Sequence, residues 1–251
     1  MEPRSCLVTG AGRGIGRAIS LCLSKAGHSV AITARSAGEL EAVAAEMPGR
    51  CLVVPGDITD PVDLEGIFGR VEAELGPVEV LVANAGMAAS NPITRVSDAD
   101  WQEMMDVNLT APFRCMRRAV PSMVRAGFGR IVVVASVASK RGDAYISAYS
   151  AAKHGVLGLV RSVAAELATK GVTVNAVCPA FVDTPMTDGT VANISSHTGR
   201  SEEESRRILA GMQPIGRLIT PAEVADVVAF LVEAPGVTGQ GWNIDGGAVQ
   251  S

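Results

Sequence analysis

Residues 4–26 read RSCLVTGAGRGIGRAISLCLSKA, and this stretch decides the fold that the rest of the chain is expected to adopt. The run Arg4–Thr9 has the apolar character of a short buried strand, and the residues up to about Ala26 have the periodicity of an amphipathic helix. The turn between them fits the pattern TGxxxGxG on Thr9, Gly10, Gly14 and Gly16. A strand, a glycine-rich turn and a helix in this order form a setting in which backbone N–H groups hold phosphate.

The glycine-rich turn departs from the GxGxxG pattern of many dinucleotide-binding folds. Ile15 stands three residues after Gly12, and Arg17 stands three residues after Gly14, so neither count ends on a glycine. A tight turn without a ligand would use the same glycines, and the rest of the chain has to decide between the two interpretations. The candidate phosphate-binding residues are Gly10, Gly12, Arg13, Gly14, Ile15 and Gly16.

The next strand, HSVAITAR, ends at Ala34 and Arg35, where the type of cofactor should be decided. A site that prefers NAD places an acidic residue about 20 residues after the turn, where it binds the ribose 2′-hydroxyl. Here Ala34 takes that place, and Arg35 together with Arg13 would attract a 2′-phosphate. The chain is therefore predicted to use NADP(H), with NAD(H) as the alternative if both arginines are ordinary solvated residues.

Apolar runs and helical stretches alternate along the rest of the chain. The further strand-like runs are RCLVVPGD, VEVLVANAG, IVVVAS, VTVNAVCP and GWNIDGG. The helices are expected at about Asp60–Leu75, at Ser97–Ala126, from Tyr149 to about Lys170, and at Pro221–Glu233. This alternation predicts an α/β fold, with residues 1–251 forming a single-domain, Rossmann-type, doubly wound parallel sheet of about seven strands and helices on both faces. Candidate cofactor contacts at the strand ends are Asp57, Ile58, Asn84, Ala85, Gly86 and Pro179.

The stretch Ser136–Lys153, SVASKRGDAYISAYSAAK, holds the strongest candidates for chemistry. It leaves the IVVVAS strand at Ser136 and enters an alanine-rich helix that carries Tyr149 and Lys153. These two residues are four positions apart and therefore share one face of the helix. A hydroxyl that faces a phenol and an ammonium can move a proton to or from an oxygen, although such a pair also occurs by chance in many helices.

The segment 185–214 interrupts the alternation of strands and helices. It is polar, rich in Ser, Thr and Glu, and has no strand pattern. Its second half, SEEESRRILAGM, is expected to form a short helix with Ser201 as the N-cap. An excursion of this length after the carboxyl edge of a sheet predicts a lid over a substrate.

The composition of the chain argues against several kinds of partner and site. The 251 residues carry a formal net charge of -4 without a basic block, which argues against a nucleic-acid partner. The five cysteines are scattered and include no CxxC pair, so neither a disulfide framework nor a metal site is predicted. No signal peptide is recognised and no apolar run has the length to span a membrane, so we expect a soluble, cytoplasmic protein.

Taken together, the motifs resemble the short-chain dehydrogenase/reductase family. The segments that carry the resemblance are TGAGRGIG (9–16), NAG (84–86), Asn108, Ser136, YSAAK (149–153) and PAFVDT (179–184). They extend over nearly the whole chain in the order and spacing of the family. Two positions depart from the family pattern, since Ala83 replaces a usual Asn and Ala180 replaces a usual Gly. Neither departure removes a catalytic group.

The resemblance implies a catalytic tetrad of Asn108, Ser136, Tyr149 and Lys153. In that family the nicotinamide exchanges hydride with a carbonyl carbon, and the phenol at the Tyr149 position gives the oxygen its proton. By this likeness Ser136 binds the substrate oxygen and Asn108 holds a water. Lys153 binds the nicotinamide ribose and, as an ammonium about 5 Å away, lowers the pKa of the phenol by roughly two units. The resemblance also adds Val182 and Thr184 to the cofactor contacts.

The segments GRLITPAEVADVVAFL and NIDGG are similar to those of the 3-oxoacyl-thioester reductases. The resemblance thus implies an NADP(H)-dependent reductase that converts a ketone, such as a 3-oxoacyl thioester of CoA or a carrier protein, to a secondary alcohol. One alternative is an NAD(P)-dependent secondary-alcohol or 3-hydroxyacyl-CoA dehydrogenase that works in the oxidative direction. Another is a non-catalytic dinucleotide sensor, which would be expected to lose Tyr149 or Lys153.

The family likeness also bears on protein partners. Arg130 and Lys170 resemble basic positions by which 3-oxoacyl reductases dock an acidic carrier protein. The helix of Tyr149 has an opposite face made of small or weakly polar residues, where a solvated helix should carry charges. These residues are Ala151, Gly155, Gly158, Ser162 and Ala165. We expect this face to pack against a second subunit, in a homotetramer of the kind that the family forms.

Overall fold

A computed structural model describes residues 2–250 of the chain, and seven strands in them form one sheet. The strands are β1 (Ser5–Thr9), β2 (Ser29–Thr33), β3 (Cys51–Val53), β4 (Val80–Ala83), β5 (Gly129–Val134), β6 (Val172–Pro179) and β7 (Gly241–Ile244). All neighbouring pairs run parallel, in the order β3-β2-β1-β4-β5-β6-β7. The predicted seven-stranded parallel sheet is therefore confirmed.

The connections between the strands are helical. The α-helices are α1 (Gly14–Lys25), α2 (Ala37–Glu46), α3 (Pro61–Leu75), α4 (Asp98–Met105), α5 (Ala111–Ala126), α6 (Ser147–Leu167), α7 (Pro185–Thr198), α8 (Glu202–Gly211) and α9 (Pro221–Glu233). Short 3₁₀ turns lie at Ile93–Arg95 and Val137–Ser139. Helices cover both faces of the sheet, because side chains of α3, α5 and α6 pack in one hydrophobic cluster and those of α1, α2 and α9 pack in the other.

The strands alternate between these two clusters, as pleated strands buried on both sides must. In β1, Leu7 belongs to the cluster with α3, α5 and α6, whereas Cys6 and Val8 belong to the cluster with α1, α2 and α9. All three side chains are fully buried. Burial of one aliphatic side chain of this size contributes about 1.5–3 kcal/mol to folding, so the two clusters hold the sheet and its helices together.

The order of the strands reverses at β1, whose neighbours are β2 on one side and β4 on the other. The connections that leave β1 and β4 therefore run to opposite sides of the sheet. The carboxyl ends of the two strands diverge from each other and leave a crevice between them. In open parallel sheets this is the place where ligands bind.

The predicted helix Ser97–Ala126 is wrong in one detail, because it is not a single regular α-helix. A π-helical turn, Asp106–Thr110, separates α4 from α5, and Ala111 N donates to Asp106 O, five residues earlier. Pro112 follows this turn, and in a regular α-helix its ring would press on the carbonyl group four residues before it, that of Asn108. The wider turn relieves this clash and carries Asn108 on the inner side of the helix, where it is buried.

The first half of the predicted lid also differs from the expectation of an irregular segment. Pro185–Thr198 forms α7, which packs against α8. The helix begins with an extended Thr184 and a proline in the first turn and ends at Gly199, whose φ is 70°. Its apolar residues show no helical stripe, since only Thr187 and Val191 are buried. This helix therefore left no periodic signal in the sequence.

Two further expectations concern the chain as a whole. Within residues 2–250, no helix combines the length and the apolar character that crossing a membrane requires. All five cysteines are free thiols, and Cys6, Cys115 and Cys178 are buried. These three act as small core side chains, as predicted, whereas Cys22 and Cys51 are only partly buried.

Candidate active site

The glycine-rich turn between β1 and α1 presents backbone N–H groups at the start of a helix. Arg13 is the extended N-cap residue of α1, and no side chain among the described residues caps this end or places an acid in the first turn. Gly10 and Gly14 have φ values of 64° and 56°, which side chains rarely tolerate. The first N–H groups of α1 therefore point to a site that favours an anion, and the turn fits the phosphates of a dinucleotide.

The side chain of Asn84 ties the end of β4 to this turn. Its Nδ2 donates to Thr9 O over 2.8 Å and to Gly10 O over 3.0 Å. In return, Thr9 Oγ1 accepts from the backbone N of Asn84 and of Ala85, each over 3.0 Å. Two neighbouring strands are thus joined at their carboxyl ends by four hydrogen bonds, and the amide of Asn84 is used for structure.

The turn approaches its neighbours so closely that three of its positions require glycine. A Cβ at Gly16 would overlap Gly10 O and lie 2.5 Å from Asn84 Nδ2, and a Cβ at Gly10 would lie 2.7 Å from Ala85 Cα. A Cβ at Gly14 would lie 3.3 Å from Thr184 Cγ2. The segments after β1, β4 and β6 therefore meet at one edge of the sheet, as the positions of the motifs predict.

Charged side chains surround the far end of the turn. Arg13 is exposed, and its Nη1 lies 3.6 Å from Oε1 of Glu39, the third residue of α2. Arg35 is also exposed and lies near Asp57. Burial raises the pKa of Asp57, but hydrogen bonds from Thr59 and the charge of Arg35 outweigh it and hold that pKa below its ordinary value. The two predicted arginines thus lie at the carboxyl edge together with two carboxylates.

Ser136 and Tyr149 meet where β5 ends and α6 begins. Ser136 is buried and extended, with its Oγ accepting from Ala138 N over 3.1 Å, and it forms a side-chain hydrogen bond with the Tyr149 phenol. Burial raises the pKa of Tyr149, and the bond with Ser136 acts in the opposite direction without cancelling it. The phenol therefore keeps its proton at neutral pH and hydrogen-bonds with a neighbouring hydroxyl.

Lys153 lies one helical turn beyond Tyr149 and is 5% exposed, so its ammonium is held inside the protein. Its Nζ donates to Val134 O over 3.0 Å and lies 5.6 Å from the centroid of the Tyr149 ring. Burial lowers the pKa of Lys153 to about 8. The pKa of the phenol is thus raised and not lowered as expected, because desolvation of Tyr149 is its largest cause.

Asn108 connects the π-helical turn to the loop after β4. Its Nδ2 donates to Met87 O over 3.0 Å and to Met104 O over 3.2 Å, and its Oδ1 accepts from Met87 N over 3.3 Å. A Cβ at Gly86 would lie 3.0 Å from Asn108 Oδ1 and 3.6 Å from Lys153 Nζ. Asn108 and Lys153 therefore converge on the same side of Gly86, which leaves room for them because it has no side chain.

Three other predicted cofactor contacts have buried side chains. Ile58 and Val182 are 8% and 4% exposed, and each packs in a hydrophobic cluster of the core. Pro179 is the last residue of β6 and is buried as well. Because their side chains are buried, these residues can contact a ligand only with their backbone atoms. Thr184, in contrast, is partly exposed and lies beside Gly14.

Sequence reasoning missed two residues that position the site. Thr9 was recognised as part of the TGxxxGxG pattern, but its hydroxyl was not expected to hold the end of β4. Arg206 of α8 was not considered, although its guanidinium binds Asp183 and Asp188 near the start of the predicted lid. No signal in the sequence linked Arg206 to those acids, because the ion pairs join residues 18 and 23 positions apart.

Comparison with known proteins agrees with this geometry. A family model described as short chain dehydrogenase matches residues 4–195. The 3-oxoacyl-[acyl-carrier-protein] reductase FabG of Escherichia coli is 36% identical over 248 residues, which are 98% of this chain and 97% of FabG.

Two solved structures show the same fold. One is a variant of the actinorhodin polyketide ketoreductase with NADPH, which has a TM-score of 0.95 and 36% identity and covers 98% of this chain and 97% of its own. The other is levodione reductase, with a TM-score of 0.93 and 28% identity over 98% of each chain. The crevice at the reversal of the sheet, the turn held by Asn84 and the group of Ser136, Tyr149 and Lys153 thus occur in a chain that belongs to the short-chain dehydrogenase/reductase family.

Proposed function

We propose that the protein is an NADP(H)-dependent reductase that converts a ketone to a secondary alcohol. Members of its family act on CH–OH and C=O groups with NAD(P), so the reaction class follows from membership. The observation that carries the assigned chemistry is the partly buried phenol of Tyr149, which hydrogen-bonds with Ser136 and has a raised pKa. This phenol keeps its proton at neutral pH and is assigned as the proton donor, and the choice of reduction over oxidation follows the relatives, which are named as reductases.

The nicotinamide cofactor, when bound, supplies the hydride. Tyr149 gives its proton to the carbonyl oxygen as negative charge develops there, and Ser136 holds that oxygen by a hydrogen bond. The charge then rests on the phenolate, where the ammonium of Lys153 stabilises it. Because the pKa of Lys153 is about 8, this side chain is mostly protonated at pH 7. We assign Asn108 to fixing the loop after β4 beside Lys153, and the water expected there stays a prediction.

The residues that would hold the dinucleotide lie along the carboxyl edge. The N–H groups of the Gly12–Gly16 turn are assigned to its phosphates, and Lys153 to the nicotinamide ribose. Arg13 and Arg35 are assigned to a 2′-phosphate, which supports NADP(H) over NAD(H). The actinorhodin ketoreductase, to which this chain is 36% identical, was solved with NADPH, which supports the same choice.

For the substrate we propose a 3-oxoacyl thioester or a related aliphatic ketone. The name of FabG describes a reductase of a 3-oxoacyl group on acyl carrier protein, and 97% of the FabG chain aligns with this protein. The lid presents exposed methionines, Met186 and Met212, which fit an aliphatic chain better than a charged sugar. Arg206 fixes α8 to the base of this lid through Asp183 and Asp188.

The structure disfavours Arg130 as a contact for an acidic carrier protein. Its side chain is buried, and its guanidinium donates to the carbonyl oxygens of Val232, Gly129 and Gly171. It also stacks 4.3 Å from the centroid of the Phe128 ring. Since these contacts occupy the guanidinium, we favour a CoA thioester or a free ketone over a carrier-bound substrate.

Replacing Tyr149 with phenylalanine should abolish ketone reduction while NADPH binding persists, because the phenol acts on the transition state and not on the dinucleotide. The measurements are turnover with a ketone panel and NADPH titration by fluorescence. Tyr145→Phe, which removes an exposed phenol four residues earlier, is the matched control and should keep full activity. Substantial turnover in Tyr149→Phe would refute the assigned proton donor.

Replacing Arg35 with alanine should weaken NADPH binding by about 10- to 100-fold and leave NADH binding nearly unchanged. A charge-assisted contact with phosphate is worth roughly 1.5–3 kcal/mol, and NADH lacks that phosphate. The dissociation constants of both cofactors check this. Arg125→Ala removes the same charge from the exposed end of α5 and should affect neither. Equal kcat/KM for NADPH and NADH in the unaltered protein would argue against the assignment.

The substrate proposal is tested by NADPH oxidation with acetoacetyl-CoA, with Tyr149→Phe as the blank. We expect thioester-dependent oxidation that the blank lacks. A parallel panel of ketones without a thioester separates the two substrate classes. Activity on that panel alone, with none on any 3-oxoacyl thioester, would reject the acyl substrate and leave a general ketone reductase.

We further propose that the outer face of α6 joins two subunits in a homotetramer. The exposed face of α6 carries small residues where a solvated helix should carry charges, namely Gly158, Ser162 and Ala165. The opposite face is fully buried in the core at Val156 and Val160. A Cβ at Gly158 would have nothing within 4 Å, so an isolated chain tolerates a larger residue.

Light scattering at micromolar concentration should therefore give a tetrameric mass for the parent and a smaller mass for Gly158→Arg. Arginine at this position would keep a second helix from approaching. Gly69→Arg, at an equally open position on α3, should leave the mass unchanged. A monomeric parent, or an unaltered mass in Gly158→Arg, would contradict the assigned interface.

A further inference from the structure

Glu39 occupies the space directly over the glycine-rich turn. A Cβ at Gly12 would lie 2.8 Å from Glu39 Oε2 and 2.9 Å from Glu39 Cβ. The other carboxylate oxygen, Oε1, lies 3.6 Å from Arg13 Nη1. A negative charge therefore stands next to the turn that would bind the phosphates, and it pairs with one of the two arginines assigned to the 2′-phosphate.

The position of this carboxylate is fixed by the backbone of α2. Ser36 caps the helix, with its Oγ accepting from Glu39 N over 3.4 Å. The next residue, Leu40, donates to Ser36 O and is fully buried in the core. Glu39 is thus held between a cap and a core anchor, and its Cβ cannot move away from Gly12 without moving the start of the helix.

The pair of Arg13 and Glu39 is weak enough to be exchanged. Both side chains are exposed, 69% for Arg13 and 42% for Glu39, and exposed ion pairs contribute little because water and salt screen them. A phosphate monoester carries roughly -1.5 to -2 charges at neutral pH and binds a guanidinium more strongly than a carboxylate does. The guanidinium can therefore leave Glu39 for a phosphate, but the carboxylate stays close by.

We propose that Glu39 is a specificity-determining residue that competes with the 2′-phosphate for Arg13. This inference rests on the proposed use of NADP(H). The carboxylate opposes the 2′-phosphate and does not act on a dinucleotide that lacks it. Glu39 thereby lowers the preference for NADP(H) over NAD(H) below the value that Arg13 and Arg35 alone would give.

Glu39 also has a structural role that the test must separate. An acid in the first turn of a helix is favourable next to the N-terminal end of the helix dipole. That contribution would act on the stability of α2 and would not depend on which nucleotide is added. A difference between two nucleotides that differ only in the 2′-phosphate is therefore the readout that a purely structural role would not move.

The experiment is calorimetric titration of the full chain with 2′,5′-ADP and with 5′-AMP. Glu39→Gln should bind 2′,5′-ADP about 2- to 5-fold more tightly than the parent does, because Arg13 no longer has to leave an exposed ion pair before it binds the phosphate. Its affinity for 5′-AMP should not change. Glu41→Gln, which removes the same charge from an exposed position of α2, should change neither affinity.

Arg13→Ala and the double variant Arg13→Ala with Glu39→Gln test the competition itself. Arg13→Ala should weaken the binding of 2′,5′-ADP. In this background, the gain in affinity from Glu39→Gln should fall to less than half of the gain measured in the parent. A gain that stays the same without Arg13 would overturn the competition. Thermal unfolding of every variant, measured without nucleotide, reports the separate effect on α2.

The outcomes separate the inference from the function on which it rests. If the parent binds 2′,5′-ADP no more tightly than 5′-AMP, the proposed cofactor is wrong and the role of Glu39 falls with it. If the parent prefers 2′,5′-ADP but Glu39→Gln behaves like Glu41→Gln, the cofactor stands and only the role of Glu39 is refuted.

Discussion

The structure of the site depends on the four hydrogen bonds that join Asn84 and Ala85 to Thr9 and Gly10. They lock the end of β4 against the end of β1, at the point where the sheet reverses its order. Because Gly10 O and the side chain of Asn84 lie so close to position 16, that position has room only for glycine. The start of α1 is therefore held in one orientation, and its free N–H groups point into the crevice where a dinucleotide phosphate fits.

Burial determines the proton chemistry on the other side of this crevice. Desolvation raises the pKa of Tyr149 and lowers that of Lys153 to about 8, so both effects oppose the charged forms. The ammonium is nevertheless held by Val134 O at the end of β5. A cation near a phenol favours the phenolate, but desolvation is the largest effect on Tyr149, whose pKa stays raised so that the phenol keeps its proton. This arrangement is the physical basis for assigning the phenol as a donor.

Exposed charges govern the outer end of the same site, where water weakens each interaction. Arg13 lies beside Glu39, and Arg35 lies near Asp57. Each of these two arginines therefore has a carboxylate nearby. Such pairs contribute little to the stability of the fold, but they alter the affinity for a ligand that carries several negative charges. We therefore assign the chemistry to the inner residues and the choice of dinucleotide to the outer ones.

The sequence by itself determined the strand–helix alternation, the parallel sheet and the shared face of Tyr149 and Lys153, because each depends on backbone periodicity over a few residues. The family motifs placed the candidate residues at the strand ends. Tertiary structure decided what local patterns do not contain. The amide of Asn84 binds a strand 75 positions away, desolvation sets the pKa of Tyr149, and Glu39 reaches Arg13 only through packing of α2. Burial and long-range partners arise from the whole fold, so no local stretch encodes them.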